Sequence, residues 1–179
     1  ARASGMSVLT DTQFFGGDLS DLVAARKATS LPLLRKDFMI DEYQLYEAKA
    51  HGADVILLIA AALSPEEIRQ MAGVAKQLDL EVLLEVHNRE ELQNSYTSGI
   101  QMLGVNNRDL KTFNVDLQTS INLATEAPNA VTLVSESGIK NQEDVRKLRE
   151  AGYSGFLIGT HFMRQADPGQ AATQFINKI

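Results

Sequence analysis

The stretch Val55-Ile56-Leu57-Leu58-Ile59-Ala60-Ala61-Ala62-Leu63-Ser64-Pro65-Glu66-Glu67 decides the fold class. Its first five residues are β-branched or leucine with no polar alternation, the pattern of a parallel strand covered on both faces. Ser64 then offers an N-cap, and Pro65 occupies the first helical position, where a missing N–H costs nothing. Glu66 and Glu67 put carboxylates in the first turn, which the helix dipole favours. Strand, short connection and helix follow one another within thirteen positions.

The same unit recurs in both directions. Apolar runs lie at Met6–Leu9, Leu31–Leu34, Val55–Ile59, Val82–Val86, Met102–Val105, Val131–Val134 and Phe156–Ile158, about 25 residues apart, the length of a βα repeat. Between them, Asp41 starts a helix that Gly52 ends, Asn88 starts one that ends at Gly99, and Asn141 starts one that Gly152 closes. No Pro/Gly/Ser-rich linker interrupts the chain, so residues 1–179 read as a single α/β domain. An open doubly wound sheet and a TIM (β/α)8 barrel both fit this pattern. The polar strand ends favour the barrel, because barrels carry their sites at the C-terminal ends of the strands. Eight strands and about 250 residues are usual; with about seven parallel strands, each followed by a helix, the barrel is expected to be incomplete.

Composition removes several function classes. The chain has 179 residues, 17 Lys+Arg against 23 Asp+Glu, and a formal charge of −6. An acidic balance without clustered positive charge argues against a nucleic-acid partner. The longest apolar run, Val55 to Leu63, is too short to span a membrane, which takes about 20 residues. With no cysteine there is neither a disulfide framework nor a thiolate metal site, which is compatible with a cytoplasmic location. The three histidines, His51, His87 and His161, are not spaced as metal ligands, and no metal is expected.

The strand ends carry the chemistry. Lys36 closes Pro32-Leu33-Leu34-Arg35-Lys36-Asp37-Phe38, and a partly desolvated lysine there suits acid/base work. A structural tie to Asp37 or Glu85 is the competing reading. Glu85 ends Glu81-Val82-Leu83-Leu84-Glu85, either as a pocket lining or as a buried ion-pair partner of Lys36 or Arg108. Together, Lys36 and Glu85 read as an acid/base pair. Asn106, Asn107 and Arg108 offer hydrogen bonds to hydroxyls or anions, or else simply hold a turn. Ser135-Glu136-Ser137-Gly138-Ile139 and Leu157-Ile158-Gly159-Thr160 fill the last two strand ends, where barrels often bind phosphate. Phe14-Phe15-Gly16-Gly17 reads as a hydrophobic plug or an aromatic cover.

As a set, these motifs resemble the indole-3-glycerol-phosphate synthase family. Ser7-Val8-Leu9-Thr10-Asp11, Phe14-Phe15-Gly16-Gly17, Leu34-Arg35-Lys36-Asp37-Phe38, Asp41-Glu42-Tyr43-Gln44, Glu85-Val86-His87, Asn106-Asn107-Arg108-Asp109-Leu110 and Ser135-Glu136-Ser137-Gly138-Ile139 carry the resemblance in order from residue 4 to 179. It implies a (β/α)8 barrel of tryptophan biosynthesis that needs no cofactor or metal. The implied reaction is ring closure of 1-(2-carboxyphenylamino)-1-deoxyribulose 5-phosphate with loss of CO2 and water. Lys36 would be the general acid and Glu85 the acid/base group of dehydration. Asn106 would orient the substrate, Arg108 would balance charge, and Glu136 and Ser137 would fall at matching active-site positions. Phe15, Phe38 and Leu57 would wall the anthranilate ring; Gly138, Ile158, Gly159 and Thr160 would bind substrate around the phosphate. Thr160 stands where Ser or Glu is more familiar in the family.

The family also begins with a helix and a first βα unit that have no counterpart in these residues, so the domain reads as N-terminally truncated. Ala1 to Gly5 would form the turn into the second barrel strand. The strands near Met6 and Phe156 would then be open edges, a route to self-association. Little synthase activity is expected from a polypeptide that starts at Ala1. Two other readings remain: another phosphate-binding barrel enzyme of amino-acid metabolism, and a non-catalytic barrel fragment that only binds phosphate ligands.

Overall fold

The computed structural model describes residues 3–179. Seven strands, β1 (Met6–Leu9), β2 (Leu33–Lys36), β3 (Val55–Ile59), β4 (Glu81–Val86), β5 (Met102–Asn106), β6 (Thr132–Glu136) and β7 (Gly155–Leu157), form one sheet. Each is followed by helix: α1 (Leu19–Ala28), α2 (Tyr43–Ala50), α3 (Pro65–Gln77), α4 (Arg89–Ser95), α5 (Gln118–Ala124), α6 (Gln142–Glu150), and after β7 both α7 (Thr160–Met163) and α8 (Pro168–Ile176). All pairings are parallel and the strand order follows the chain from β1 to β7. A doubly wound sheet would reverse its order at a switch point; this one does not.

Side-chain parity shows that the sheet curls. Leu34, Val55, Leu57, Ile59 and Leu83 form one buried cluster, with Phe38, Met102, Val134 and Leu157 packed on it. These residues come from β2 through β7, so six strands turn the same face toward one interior. The alternate residues, such as Leu33, Ile56, Leu58, Val82, Leu84, Leu103 and Val105, pack outward with the helices in a larger cluster. Two buried layers on the two faces of one parallel sheet are the architecture of a (β/α) barrel wall. Among the described residues β1 pairs only with β2 and β7 only with β6.

Local chemistry sets the helix starts. Ser64 Oγ accepts from Glu67 N while Glu67 Oε2 accepts from Ser64 N at 2.7 Å, a reciprocal capping box. Asn141 with Asp144 and Asp18 with Asp21 repeat the device. Gly52 and Gly152 end their helices at φ of 92° and 105°, the left-handed conformation that glycine adopts freely.

Several expected boundaries move. β2 runs to Lys36 rather than stopping at Leu34, because Arg35 reaches buried partners on the outer face and Lys36 on the inner. Likewise β6 extends through Ser135 and Glu136. Helix α2 starts at Tyr43; Asp41 closes the turn before it by accepting from Tyr43 N at 2.8 Å. Helix α4 ends at Ser95, since Tyr96 turns extended, and Gly99 lies beyond it. Of the turn expected over residues 1–5, residues 1 and 2 lie outside the described residues; β1 then opens with Met6 N donating to Pro32 O at 2.9 Å.

Candidate active site

The C-terminal ends of β2, β4, β5 and β6 converge on one polar cluster. Lys36 Nζ lies 3.4 Å from Glu85 Oε2 and 3.9 Å from Glu136 Oε2. The second distance joins β2 to β6, a reach possible only because the sheet curls. Asn106 Nδ2 donates to the other Glu85 oxygen, Oε1, at 3.0 Å. Lys36, Glu85, Asn106 and Glu136 share the inward parity of Leu34, Leu83 and Val134, so the polar cluster sits directly above the apolar interior.

The two glutamates differ electrostatically. Burial pushes the Glu85 carboxyl up, but the charges of His87 and Lys36 and the hydrogen bond from Asn106 outweigh it and hold it well below the usual range. Glu136 goes the other way: burial raises it, and the neighbouring Glu85 charge raises it further. Its Oε1 is buried with no hydrogen-bond partner among the described residues. One carboxylate kept ionised beside one carboxyl kept protonated is the arrangement that separates base from acid in a shared pocket.

An aromatic wall flanks the lysine. Phe15 stacks on Phe38 with centroids 4.9 Å apart, and Lys36 Nζ lies 5.5 Å from the Phe15 centroid. Phe14 meets Phe38 edge-on at 5.4 Å but is 70% exposed, a rim residue rather than a plug. Leu57 is fully buried in the interior below. Ile158 packs with the outer cluster, so its side chain is not among the residues facing Lys36.

The loop after β6 is built by a buried polar network. Asn107 Nδ2 donates to Ser135 Oγ, Glu136 O and Ser137 O at 2.9–3.1 Å, while its Oδ1 accepts from Ser120 N. Ser120 Oγ and Ser135 Oγ share a hydrogen bond, and Tyr153 Oη donates to Ser120 O. Ser137 and Gly138 follow at φ of 65° and 85°, a left-handed pair that swings the chain off the strand end. Because β6 and β7 are parallel neighbours, Ser137 and Gly138 emerge on the same side as Gly159 and Thr160, which opens α7. Arg108 N donates to Asn106 Oδ1 at 3.0 Å, and the Arg108 backbone bridges Val115 across the loop after β5. Its guanidinium reaches Phe113 O at 3.5 Å within the same loop.

Three contributors are not visible in residue spacing. Gly104 provides the space that Glu136 occupies, since a Cβ there would collide with Glu136 Oε1. Asn107 reads as a turn residue until its partners are known. His87 gives no metal pattern, yet its Nε2 lies 3.3 Å from Glu85 Oε1 and its Nδ1 lies 3.1 Å from Glu91 Oε2. The short polar run after β4 is its only sequence signal.

Fold and site together define a (β/α) barrel with an acid/base cluster at the C-terminal ends of its strands and an aromatic wall beside it. The chain belongs to the indole-3-glycerol phosphate synthase family, whose profile matches residues 1–175. It is 51% identical over its whole length to the indole-3-glycerol phosphate synthase of Bacteroides thetaiotaomicron, covering 68% of that protein. It is 49% identical to the one from Acidovorax sp. and 48% identical to the one from Chromobacterium violaceum, each over 96% of this chain and 65% of the relative. The chain thus spans about two thirds of the length of these curated relatives.

Solved structures show the same fold at low identity. The 3-hexulose-6-phosphate synthase of Salmonella typhimurium superposes with a TM-score of 0.78 at 15% identity, over 96% of this chain and 84% of that one. The N-acetylmannosamine-6-phosphate 2-epimerase of Clostridium perfringens gives 0.70 at 12%, over 99% and 80%.

Proposed function

We propose that these residues form the catalytic body of an indole-3-glycerol-phosphate synthase acting on 1-(2-carboxyphenylamino)-1-deoxyribulose 5-phosphate. The observation that carries the reading is Lys36 Nζ held between Glu85 and Glu136 at the ends of three strands. Lys36 donates a proton to the substrate carbonyl oxygen while the ring carbon bearing the carboxylate attacks the carbonyl carbon. Loss of CO2 from that ring carbon returns the bonding electrons to the ring and restores aromaticity. The hydroxyl formed at the new bond takes a proton from the Glu136 carboxyl, which burial and the neighbouring Glu85 charge keep protonated, and leaves as water. Glu85, kept ionised, takes the proton whose removal completes the indole double bond.

Asn106 orients Glu85 and the substrate hydroxyls, and Phe15, Phe38 and Leu57 shape the slot for the anthranilate ring. Gly138, Gly159 and Thr160 supply backbone and hydroxyl donors for the phosphate; Ile158 contributes only main chain. Arg108 and Ser137 act at the mouth, Arg108 by balancing charge near the substrate carboxylate. The reaction is a carboxy-lyase step of tryptophan biosynthesis in the cytoplasm. Indole formation from the purified substrate, followed by fluorescence, tests the reading. In the complete enzyme, Lys36→Ala is expected to lower turnover by at least about 10²-fold, the scale of lost acid/base catalysis. Unchanged turnover removes Lys36 from the role. Calorimetric binding of a phosphorylated substrate analogue without any turnover favours the binding-only barrel instead.

A further inference from the structure

The proposed reaction uses Glu85 but leaves His87 and Glu91 behind it without a role. Glu91 sits in the first turn of α4 and is locked to its N-cap: Asn88 Oδ1 accepts from Glu91 N at 2.9 Å, and Asn88 Nδ2 donates to Glu91 Oε1 at 2.7 Å. Glu91 Oε2 is thereby turned toward the end of β4. There it accepts from the His87 backbone N–H at 2.7 Å and faces ring Nδ1 at 3.1 Å. Two contacts from one oxygen fix both the backbone and the ring of His87. On the far side Nε2 is buried, 3.3 Å from Glu85 Oε1, at ion-pair distance but outside hydrogen-bond alignment.

Glu85 Oε1 is therefore held from two sides, by Asn106 and by His87, and Oε2 is left to Lys36. We propose that His87 is a positioning residue of this site: anchored by Glu91, it turns the Glu85 carboxylate so that Oε2 faces Lys36. This role rests on the acid/base function proposed above for Glu85.

The charges facing these groups support it. Glu85 is met by Lys36 from β2, by Glu136 from β6 and by the Asn106 amide from β5; His87 is met by Glu85 and, from α4, by Glu91. Burial disfavours a charged imidazole, but the two flanking carboxylates outweigh it and raise His87 to about 9. The ring is thus an imidazolium at neutral pH. A cation behind Glu85 offsets the cost of burying that carboxylate next to Glu136, and Glu91, at the surface end of the line, keeps the cation in place.

Nuclear magnetic resonance of the full chain, labelled at histidine ring nitrogens and glutamate carboxyls, tests this without turnover. His87 is expected to carry protons on both nitrogens at pH 7.5. Glu91→Gln should lower its midpoint by about one pH unit, and His87→Asn should raise the Glu85 titration by about as much, a tenfold change in the ionised fraction. A neutral His87 at pH 7.5, or a Glu85 titration unmoved by His87→Asn, overturns the proposal. If His87→Asn does not fold, Glu91→Gln, at a partly exposed position, still decides through the His87 midpoint.

Kinetics add a second arm. Glu91→Gln should lower kcat, leave KM near its original value and move the acid limb of the kcat profile upward, with Glu91→Asp restoring part of the loss. A loss of stability with an unmoved pH profile marks a merely structural contact and also overturns the role. Absence of synthase turnover in every form, with the titrations as expected, fails the function reading and leaves the Glu91–His87–Glu85 coupling standing.

Discussion

Gly104 and Glu136 fit together as space and occupant: a side chain at 104 would collide with Glu136 Oε1, and Leu83 Cδ1 would lie 3.2 Å from the added Cβ. The two residues are on neighbouring strands, with Gly104 paired to Val134 and Asn106 to Glu136. A buried carboxyl reaches the Lys36 cluster only because the adjacent strand leaves a hole for it. Gly104→Ala is therefore expected to displace Glu136. Turnover should fall at least about tenfold, while overpacking costs about 1–3 kcal/mol of stability. Kinetics and urea denaturation of the same variant check this, and an Ala variant with full activity would mean that the position of Glu136 is immaterial.

Glu136 also leaves a signature in stability against pH. Its folded-state carboxyl is raised above the ordinary 4.5, so the folded protein holds this proton more tightly than the unfolded chain. Stability then falls as pH rises from about 4.5 through the raised folded value, because ionisation is easier after unfolding. Glu85 contributes in the opposite sense, with stability present above its unfolded value and lost as pH drops through its lowered one. His87, raised to about 9, contributes stability that is full below its unfolded value of 6.5 and is lost as pH rises through 9. Subtracting Glu136→Gln from the parent isolates the carboxyl and its coupling to Glu85. The Gln variant should gain relative stability steadily between pH 5 and 8 in thermal melts. Parallel melting curves would show Glu136 ionised in the fold.

Asn107 is 2% exposed, and its side chain satisfies the end of β6, the start of α5 and the loop after β6. Truncating it strands several buried partners at once. Asn107→Ala should cost about 3 kcal/mol or more, since each unsatisfied buried group costs about 1–3 kcal/mol. It should also raise KM for the phosphorylated substrate through a looser Ser137–Gly138 turn. A loss below 1 kcal/mol in chemical denaturation would mean that the network is replaced by water.

At the sheet margins, Met6 and Leu9 of β1 are 39% and 40% exposed, and β7 is only half-buried throughout. A polypeptide of residues 1–179 is expected to associate through these edges as its concentration rises, because an unpaired strand presents a row of free donors and acceptors. Sedimentation velocity across a hundredfold concentration range reads this directly. A single monomeric boundary throughout would contradict it.

Much of the fold was legible because its signals are local. The unbroken run Val55–Ile59 is a strand at those residues, and Ser64-Pro65-Glu66-Glu67 starts α3 where capping chemistry predicts. Such features depend on neighbours three or four positions away, which a sequence displays. Boundaries drawn by hydropathy failed where charged residues continue a strand, as at Arg35-Lys36 and Ser135-Glu136. Their burial depends on partners from distant elements, such as Glu47 for Arg35, that no local window contains.

Residue order alone yields a repeated βα chain whose strands end in Lys36, Glu85, Asn106 and Glu136. Which of those ends meet is set by packing. In a strand adjacent residues point to opposite faces, so register alone sends Arg35 outward to Asp37 and Glu47 and Lys36 inward to Glu85 and Glu136. Curling of the sheet then closes the distance between β2 and β6. His87 acquires its place only when the N-cap of α4 turns Glu91 back onto it. Residue types are properties of the chain; distances between groups 49 positions apart are properties of the packed barrel.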